Sequence, residues 1–273
     1  AFDEVPNDVL SVVVSVLRKA TTANVESVAL QPTPPDDRSY DRERTRRKRA
    51  AVLCGYGRCN FQTRALTVVP LSPIIYWWND RQRKEYADAP MLGRFAPPKK
   101  GMTTSNNTRY IRYVWEVGFN EVDSPGKWQP YVLGAKGRAW HDPLLTMVRW
   151  EKNGIAVKLL NEKLYGSFSR SIQNEAVYFR PGIAFTTTGS DFTARLHRRP
   201  SVIDSKGSSV YCEDLAGTVC LLNSSRIRDV LNCLNPGLDY KNGDVERIPV
   251  FSIPESNSIF AVVSSAFEQH ESH

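Results

Sequence analysis

The sequence is poor in the residues from which most catalytic and metal sites are built. Its 273 residues include five cysteines and four histidines, two of the histidines being among the last four residues. With so little histidine, a Ser-His-Asp triad is a weak prediction. Cys54 and Cys59 lie close together, but no second close pair follows them, so a zinc site is not expected. Sparse cysteines in an odd number are typical of reduced thiols in a cytoplasmic protein.

Several sequence signatures are also missing. No apolar run approaches the roughly 20 residues that span a bilayer, and the start lacks the segments of a secretory signal. There is no glycine-rich phosphate loop after a strand, no G-x-S-x-G elbow and no H-E-x-x-H helix. We therefore expect a cytoplasmic protein without a membrane-spanning segment. Because the chain starts with alanine and a strand-like segment, we also expect it to begin inside a larger protein.

The sequence is rich in positive charge. The formal net charge is +7 at pH 7 and the pI is about 9.2, while the 41% hydrophobic and 24% charged content is ordinary for a globular protein. Such a charge favours an acidic partner, with nucleic acid first and an anionic membrane second. A role in solubility alone is the alternative. Residues 38–49 carry seven cations against Asp41 and Glu43, which predicts either a phosphate-contacting helix or a solvated surface helix.

Local patterns predict a chain of mixed strands and helices. The nearly continuous β-branched run at residues 8–19 predicts a strand covered on both faces, in a sheet whose other strands lie upstream. A proline-rich breaker at residues 31–37 precedes a helix predicted to reach Leu53. Further strand-like pieces are predicted in the middle of the chain, at residues 111–117, 146–150 and 156–160.

The last third of the chain is predicted to be largely helical. Apolar positions along residues 214–234 trace one helical face, which Asn235-Pro236-Gly237 ends. Pro254 opens a last amphipathic helix. Earlier in the chain, the paired Trp77 and Trp78 predict a core anchor, with base stacking as the alternative.

The stretch at residues 178–209 is the most distinctive part of the sequence. Two β-type runs, residues 182–188 and 192–196, flank Gly189-Ser190-Asp191, which predicts a tight hairpin. Four cations lie in or just after the second arm: Arg195, His197, Arg198 and Arg199. Gly207-Ser208-Ser209 ends the stretch with small residues that expose amides and hydroxyls. Such groups hold phosphates and base edges. The pattern therefore predicts a β element that faces a polyanion.

One enzymatic signal lies in the same stretch. Asp204 and Lys206 stand two residues apart at a predicted strand end, as in metal-dependent nucleases that activate water with a divalent ion. Such a site needs a second acidic ligand, for which Asp191 or Glu175 is a candidate. The structural alternative is that Asp204 and Lys206 cap a turn and pair locally.

Three stretches, in this order, resemble one protein family. Residues 101–117 (GMTTSNNTRYIRYVWEV) resemble the lead-in to the target-recognition region of class I DNA adenine-N6 methyltransferases. Residues 178–209 follow, with a Y-x-R-x-G-I-x-F start and a D-S-K-G-S-S end. Residues 221–251 carry L-N-S, L-N-P and G-D-V-x-x-I-P. Their order and spacing resemble the PglX-type methyltransferases of BREX phage defence and related single-chain type II restriction–modification enzymes, over most of the chain.

The resemblance implies a mixed α/β (α+β) fold, in which the end of a methyltransferase sheet precedes a target-recognition domain of mixed strands and helices. The implied segments are residues 1–30 as the last strands of that sheet, 31–100 as the basic helix and connector, 101–253 as the DNA target-recognition domain and 254–273 as the C-terminal amphipathic helix. The implied function of this chain is sequence-specific recognition of duplex DNA.

The full-length enzyme would transfer a methyl group from S-adenosylmethionine to a flipped adenine. This chain lacks the family's [DNS]-P-P-[YFW] motif and its glycine-rich cofactor motif. Thr33-Pro34-Pro35-Asp36 has neither the amide that would bind the adenine amino group nor the aromatic ring that would stack on the base. We therefore expect no cofactor and no methylation by this chain alone; S-adenosylmethionine is implied for the full-length protein.

The resemblance also implies the residues that contact DNA. The lead-in residues that would border the flipped base are Thr103, Thr104, Asn106, Asn107 and Arg109. Groove or phosphate contacts would come from Arg180, Thr186, Thr187, Thr188, Ser190, Arg195 and Lys206. For Arg109 and Arg180 the alternative is packing at the core edge. The family usually has glycine where this chain has Ser105, so a close backbone approach there would be altered.

Duplex DNA is thus the predicted partner, and no membrane partner is expected. Two other functions stay open at this stage. One is the metal-dependent nuclease built on Asp204. The other is a protein-interaction domain that docks other phage-defence subunits through the apolar C-terminal helix.

Overall fold

The computed structural model describes residues 15–16, 26–31, 43–118, 121–122, 126–134, 137–189, 191–235 and 237–271 of the chain. It is a mixed α+β structure, as predicted, and divides into two compact units, Ala1–Asp88 and Ala89–His273. The strand predicted at residues 8–19 lies outside the described residues apart from Ser15 and Val16, and so does the breaker after Gln31. The predicted segment boundaries, including the methyltransferase sheet at residues 1–30, remain predictions.

The first unit contains a two-stranded antiparallel sheet. Strand β1 (Glu26–Leu30) pairs with β2 (Arg58–Gln62). Helix α1 (Glu43–Leu53) lies between them in the chain and confirms the described part of the predicted basic helix. Helices α2 (Thr63–Leu66) and α3 (Asp80–Asp88) follow β2.

The two neighbouring tryptophans of the first unit have different environments. Trp78 is buried and packs against Tyr86 of α3, with ring centroids 5.5 Å apart. Trp77 is 53% exposed and meets the ring of Tyr76 edge-on. The core-anchor prediction is therefore confirmed for Trp78 and is wrong for Trp77.

The second unit combines two sheets with a series of helices. Its elements in chain order are α4 (Asn107–Tyr110), β3 (Ile111–Tyr113), β4 (Trp128–Val132), β5 (Trp140–His141), β6 (Thr146–Arg149), α5 (Glu151–Tyr165), β7 (Gly182–Phe185), β8 (Ala194–His197), β9 (Val202–Ile203), β10 (Ser209–Val210), α6 (Leu215–Asn223), α7 (Ser225–Leu234), α8 (Asn242–Glu246) and α9 (Ser256–Glu271). The strand order is β10-β7-β8-β5 in one sheet and β3-β6-β4-β9 in the other. Most pairs are antiparallel; β4–β9 and β5–β8 are parallel.

Two hydrophobic clusters hold these layers together. In one, the buried side chains of β7 and the hairpin loop pack on α6 and α7; they include Ile183, Phe192, Val219, Leu222 and Leu231. In the other, the second sheet packs against α5; the buried side chains include Tyr131, Val148, Val157 and Ile203. The apolar residues of the helices and strands therefore face each other, and each sheet buries a face against helices.

Helix α5 corrects the strand predicted at residues 156–160. Val157 and Asn161 are both buried and stand four residues apart, the spacing of one helical face. Regular helix begins after Lys152, Asn153 and Gly154, whose φ values are 50°, 57° and 69°, and it ends at Gly166, a left-handed cap with φ of 75°. The short apolar run suited either period, and packing against the sheet selected the helix.

The remaining predicted elements are confirmed with changed boundaries. The strand predicted at residues 111–117 covers only β3, because a 3₁₀ turn (Val114–Glu116) follows. The helix predicted at residues 214–234 is two helices, since Ser224 has extended backbone and its hydroxyl accepts a hydrogen bond from the Ile227 amide. Helix α7 ends at Leu234, as the Asn-Pro-Gly signal predicts.

The C-terminal helix α9 packs against the rest of the second unit. Phe260 and Phe267 lie on the ring of His141, with centroid distances of 5.5 and 4.9 Å. The Ser264 hydroxyl is 3.1 Å from Nε2 of the same histidine. Phe260 and Phe267 of the apolar face of α9 are therefore packed inside the unit, whereas Ile259 and Ala266 of the same face are exposed. No helix in the described part of the chain is long and apolar enough to cross a membrane.

Candidate nucleic-acid interface

The predicted hairpin is confirmed as β7 and β8. The two strands pair antiparallel, with Gly182 opposite His197 and Phe185 opposite Ala194. The pairing continues into the loop, where the Thr186 amide donates to the Thr193 carbonyl (2.9 Å) and the two hydroxyls are 2.9 Å apart. Thr186 is buried by these contacts, whereas Thr187 is half-buried and Thr188 is exposed. Ser190 lies outside the described residues.

The turn that carries Lys206 lies beside the tip of this hairpin. Strand β10 pairs with β7, and the Phe185 amide donates to the Ser208 carbonyl (3.1 Å). The Thr187 hydroxyl donates to the Lys206 carbonyl (3.1 Å). Lys206 itself is exposed. The tip and the turn therefore present their polar groups side by side.

The lead-in segment runs along the same turn. Lys99 and Ser209 exchange two backbone hydrogen bonds (2.8 and 3.0 Å), the Met102 amide donates to the Ile203 carbonyl (2.8 Å), and the Ser205 amide donates to the Met102 carbonyl (2.8 Å). A Cβ atom at Gly101 would lie 1.9 Å from the Ile203 carbonyl oxygen. Only glycine fits this backbone approach.

Three segments that are far apart in sequence thus meet at one place. We call their exposed or half-buried lysines and threonines, with Lys241 from a fourth segment, the convergent surface: Lys99, Lys100, Thr103, Thr187, Thr188, Lys206 and Lys241. The exposed Asp239, whose backbone pairs with that of Thr188, also lies beside it. Lys241 belongs to it because the amide of the preceding Tyr240 donates to the Thr187 carbonyl (3.0 Å). Lysine ammonium groups bind phosphates, and threonine hydroxyls bind phosphates or base edges. Lys99, Lys100 and Lys241 were not among the sequence-predicted contacts, because scattered lysines carry no local pattern.

The polar residues after Thr103 form a tightly structured loop. Thr104 is buried and its hydroxyl donates to the Asn107 side chain. The Asn106 side chain caps α4 by accepting from the Arg109 amide (3.0 Å). Ser105 has φ of 59°, the left-handed region that favours glycine, and its hydroxyl donates to Asn161 (2.7 Å). Ser105 therefore adopts a conformation that glycine reaches more easily, and the hydrogen bond to Asn161 holds the serine in place.

Asp204 stabilises the turn that precedes Lys206. Its carboxylate accepts from the Tyr131 hydroxyl (2.6 Å) and from the Lys206 amide (2.7 Å). Burial raises the pKa of Asp204, and the hydrogen bond from Tyr131 opposes this effect. These contacts confirm the structural alternative, a locally capped turn. The proposed second ligand Glu175 instead pairs with Lys158 (2.6 Å), and the described residues contain no group of three or more potential metal ligands.

Two of the four cations predicted to face a polyanion, Arg195 and His197, are buried, whereas Arg198 is half-buried and Arg199 is exposed. Arg195 is 2% exposed; its Nε donates to the Asp142 carboxylate (2.5 Å) and its Nη2 to the Leu133 carbonyl. His197 is also buried, which lowers its pKa to about 4, and Ser201 is its hydrogen-bond partner (3.1 Å). All four residues of β8 are buried, so both faces of the sheet are covered at this strand. The predicted phosphate contact of Arg195 conflicts with this burial.

The two remaining predicted arginines are exposed but lie differently. Arg109 is at 5.3 Å from the centroid of the Tyr110 ring, in the short helix α4 that follows the loop after Thr103. Arg180 is at 6.0 Å from the Tyr211 ring, before the start of β7, whereas Thr186–Thr188 follow its end. Arg180 is therefore not brought together with the other candidates. DNA contact by either arginine remains a prediction.

The chain is similar to two adenine-specific methyltransferases. It is 28% identical over 197 residues to adenine-specific methyltransferase PglX of Lacticaseibacillus casei (strain Zhang), with 67% of this chain and 16% of that protein covered. It is 28% identical over 195 residues to adenine-specific methyltransferase BrxX of Escherichia coli O9:H4 (strain HS), with 67% and 15% covered. No protein-family model matches the chain. The chain spans only about 16% of the length of these relatives, and the similarity confirms a relationship to the PglX-type adenine-specific methyltransferases.

Proposed function

We propose that this chain recognises duplex DNA as the target-recognition part of an adenine-N6 DNA methyltransferase in phage defence or restriction–modification. The observation that carries the proposal is the convergent surface. Four lysines and three threonines from separate segments share it, next to the asparagine-rich loop before α4. The relationship to adenine-specific methyltransferases supplies the reaction that such recognition would serve.

The arrangement suits DNA recognition because its backbone is held from several sides. The lead-in, the hairpin tip and the turn are joined by main-chain hydrogen bonds, so the backbone that carries their polar groups is fixed before a ligand arrives. Lysine contacts to phosphates would set the register of the duplex. The exposed Thr103 would then be placed to meet a base edge. The Oδ1 atoms of Asn106 and Asn107 accept hydrogen bonds inside the loop, so these side chains would position the loop.

Methyl transfer is proposed for the full-length protein only, with S-adenosylmethionine as its cofactor. Nucleotide-type cofactors bind where a parallel strand leads through a glycine-rich turn into a helix. In the described part of this chain each parallel pair contains a strand of two residues, and none leads into such a turn. The residues present therefore do not fit the cofactor, and we assign no catalytic step to them.

Salt-dependent DNA binding tests the proposal. Affinity for a duplex would be measured by fluorescence anisotropy at several salt concentrations, for the parent chain and for a Lys100→Ala/Lys206→Ala variant. Each lost phosphate contact should reduce the slope of log affinity against log salt by roughly 0.9. The double variant should therefore lose roughly 1.8 from its slope and bind more weakly.

The matched control is Lys163→Ala, which removes an exposed lysine of α5 outside the convergent surface. It should leave the slope nearly unchanged. If Lys163→Ala reduces the slope as much as a single change at Lys206, binding is a property of total charge and not of this surface. If the parent chain binds no duplex even at low salt, the proposal is wrong.

Other phage-defence subunits are a second class of proposed partner. The sequence predicted that such a subunit would dock on the apolar face of α9. Phe260 and Phe267 of that face are packed on His141, so they are not free to contact a partner. The DNA proposal is therefore the one that the described contacts support.

A further inference from the structure

An exposed pair of stacked aromatic rings lies after β3. The rings of Tyr113 and Trp115 are parallel to within 3°, with centroids 4.6 Å apart. Tyr113 is 51% exposed and Trp115 is 68% exposed. Rings of this size are usually largely buried. Since each ring covers one face of the other, the exposed area of the pair lies on the outer faces and the edges of the rings.

The backbone holds the two rings in this arrangement. The 3₁₀ turn after β3 brings residues 113 and 115 to the same side, and the Glu116 carboxylate fixes it by accepting from the Tyr113 amide (2.6 Å). The Val114 amide donates to the Leu145 carbonyl (2.9 Å), which ties the turn to the segment before β6. A preorganised stack loses little entropy when a third flat ring is added.

The stack is close in the chain to the proposed DNA contacts. Tyr113 is four residues beyond Arg109, so the two lie within about 14 Å of each other even if the chain is fully extended. One strand of DNA advances about 3.4 Å per nucleotide. A strand that passes Arg109 would therefore reach the stack within about four nucleotides. Strand β3 is an edge strand, so no strand of its own sheet lies beyond it.

We infer that the Tyr113–Trp115 stack binds one unpaired nucleobase of the DNA, which extends the stack as a third ring. The inference rests on the proposed function. Base stacking on aromatic side chains tolerates any base, because every base has a π face. It requires that the base has left the duplex, as happens when DNA enzymes extrude a nucleotide. Two flat parallel rings are complementary in shape to a flat base, and less so to the irregular surface of a protein. Val114 and Leu145 near the stack are also exposed.

The test compares two duplexes of equal length, one fully paired and one with a single unpaired base, by fluorescence anisotropy. The parent chain should bind the second duplex more tightly. Trp115→Ala and Trp115→Leu should reduce affinity for that duplex by about 5- to 100-fold and change the fully paired duplex by less than about twofold. Trp115→Phe, which keeps a flat ring, should retain most of the preference.

Trp77→Ala is the matched control, because Trp77 is a similarly exposed tryptophan whose neighbour Tyr76 meets it edge-on. It should change neither affinity. The inference is wrong if Trp115→Leu keeps the preference, since apolar area and not stacking would then bind the ligand. The inference is also wrong if the chain self-associates and Trp115→Ala abolishes this association without changing the affinity for either duplex, because the stack would then bind a second copy of the chain. Binding of both duplexes with equal affinity overturns this inference alone, whereas binding of neither overturns the proposed function as well.

Discussion

The second arm of the hairpin and the turn after β9 each carry a predicted DNA-contacting cation, but the fold buries one and exposes the other. Arg195 lies on an inner strand, and its guanidinium is paired with Asp142 inside the protein. Lys206 lies in a surface turn and is exposed. A buried charge must be neutralised locally, because burying it alone is costly, whereas a charge in an exposed turn stays available to a ligand. The number of cations in a segment therefore does not locate an interface; the burial of each side chain does.

The largest expected effect is the loss of protein stability when the buried Arg195 is replaced. Arg195→Met leaves the Asp142 carboxylate buried without its partner, so the free energy of unfolding should fall by about 3–5 kcal/mol. Urea denaturation measures it. An Arg195→Met/Asp142→Leu double variant should recover most of the loss, because both charges are then removed.

Lys206→Met is the control from the turn, and its unfolding free energy should change by less than about 0.5 kcal/mol. The comparison would be reversed if Arg195→Met were as stable as the parent chain and had a smaller salt slope in DNA binding. Arg195 would then be a phosphate contact and not a structural cation.

A second effect is the pH dependence of the buried arm. Burial lowers the pKa of His197 to about 4, below its ordinary value of about 6.5. The unfolded chain therefore binds the proton more tightly, and stability should fall as the pH drops from about 6.5 to about 4. The loss from this residue should be about 3 kcal/mol between pH 7 and pH 4.

Urea denaturation at both pH values would measure this loss, with His197→Gln as the comparison because glutamine does not titrate. The variant should show a smaller difference between the two pH values than the parent chain. An equal difference in both proteins would mean that His197 is not the titrating group.

The smallest expected effect is that of replacing Asp204, which stabilises the turn that presents Lys206. Asp204→Ala leaves the Lys206 amide without its acceptor and removes the shorter hydrogen bond of the Tyr131 hydroxyl, which can then donate only to the Met102 carbonyl (3.3 Å). Stability should fall by about 1–3 kcal/mol. Duplex DNA should also bind more weakly, because the turn that presents Lys206 is no longer fixed. Asp204→Asn keeps a carbonyl oxygen for the Lys206 amide and should bind DNA at least as tightly as the parent chain.

The same variants separate the turn from the nuclease alternative. Plasmid DNA incubated with magnesium should not be nicked by the parent chain or by either variant. Magnesium-dependent nicking that Asp204→Asn abolishes would make Asp204 a catalytic ligand and would contradict the structural role described above.

Much of the fold was predictable where the pattern was long or had clear ends. The hairpin, the helices before Leu234 and after Pro254, and the described part of the basic helix follow from periodicity and from Gly, Pro and Ser signals. The strand at residues 156–160 was wrong because a five-residue apolar run fits either period. The break at Ser224 was missed because a cap inside a continuous apolar pattern gives a weak signal.

The candidate site was predictable only in part. The family resemblance placed Thr103, Asn107 and Lys206 in DNA-contacting segments, and all three are exposed. It also included Thr104, Thr186 and Arg195, which are buried. A sequence shows which side chains can bind a phosphate but not which of them the layers cover.

The sequence by itself determined the charge, the mixed α+β class, the hairpin and the relationship to adenine-specific methyltransferases, since each is a property of composition or of local order along the chain. Only the tertiary structure decided that Lys99, Lys100, Lys206 and Lys241 share one surface, that Arg195 is an internal partner of Asp142, and that Tyr113 and Trp115 stack in solvent. The physical reason is that pairing and burial depend on contacts between residues far apart in the chain. Local patterns do not encode those contacts.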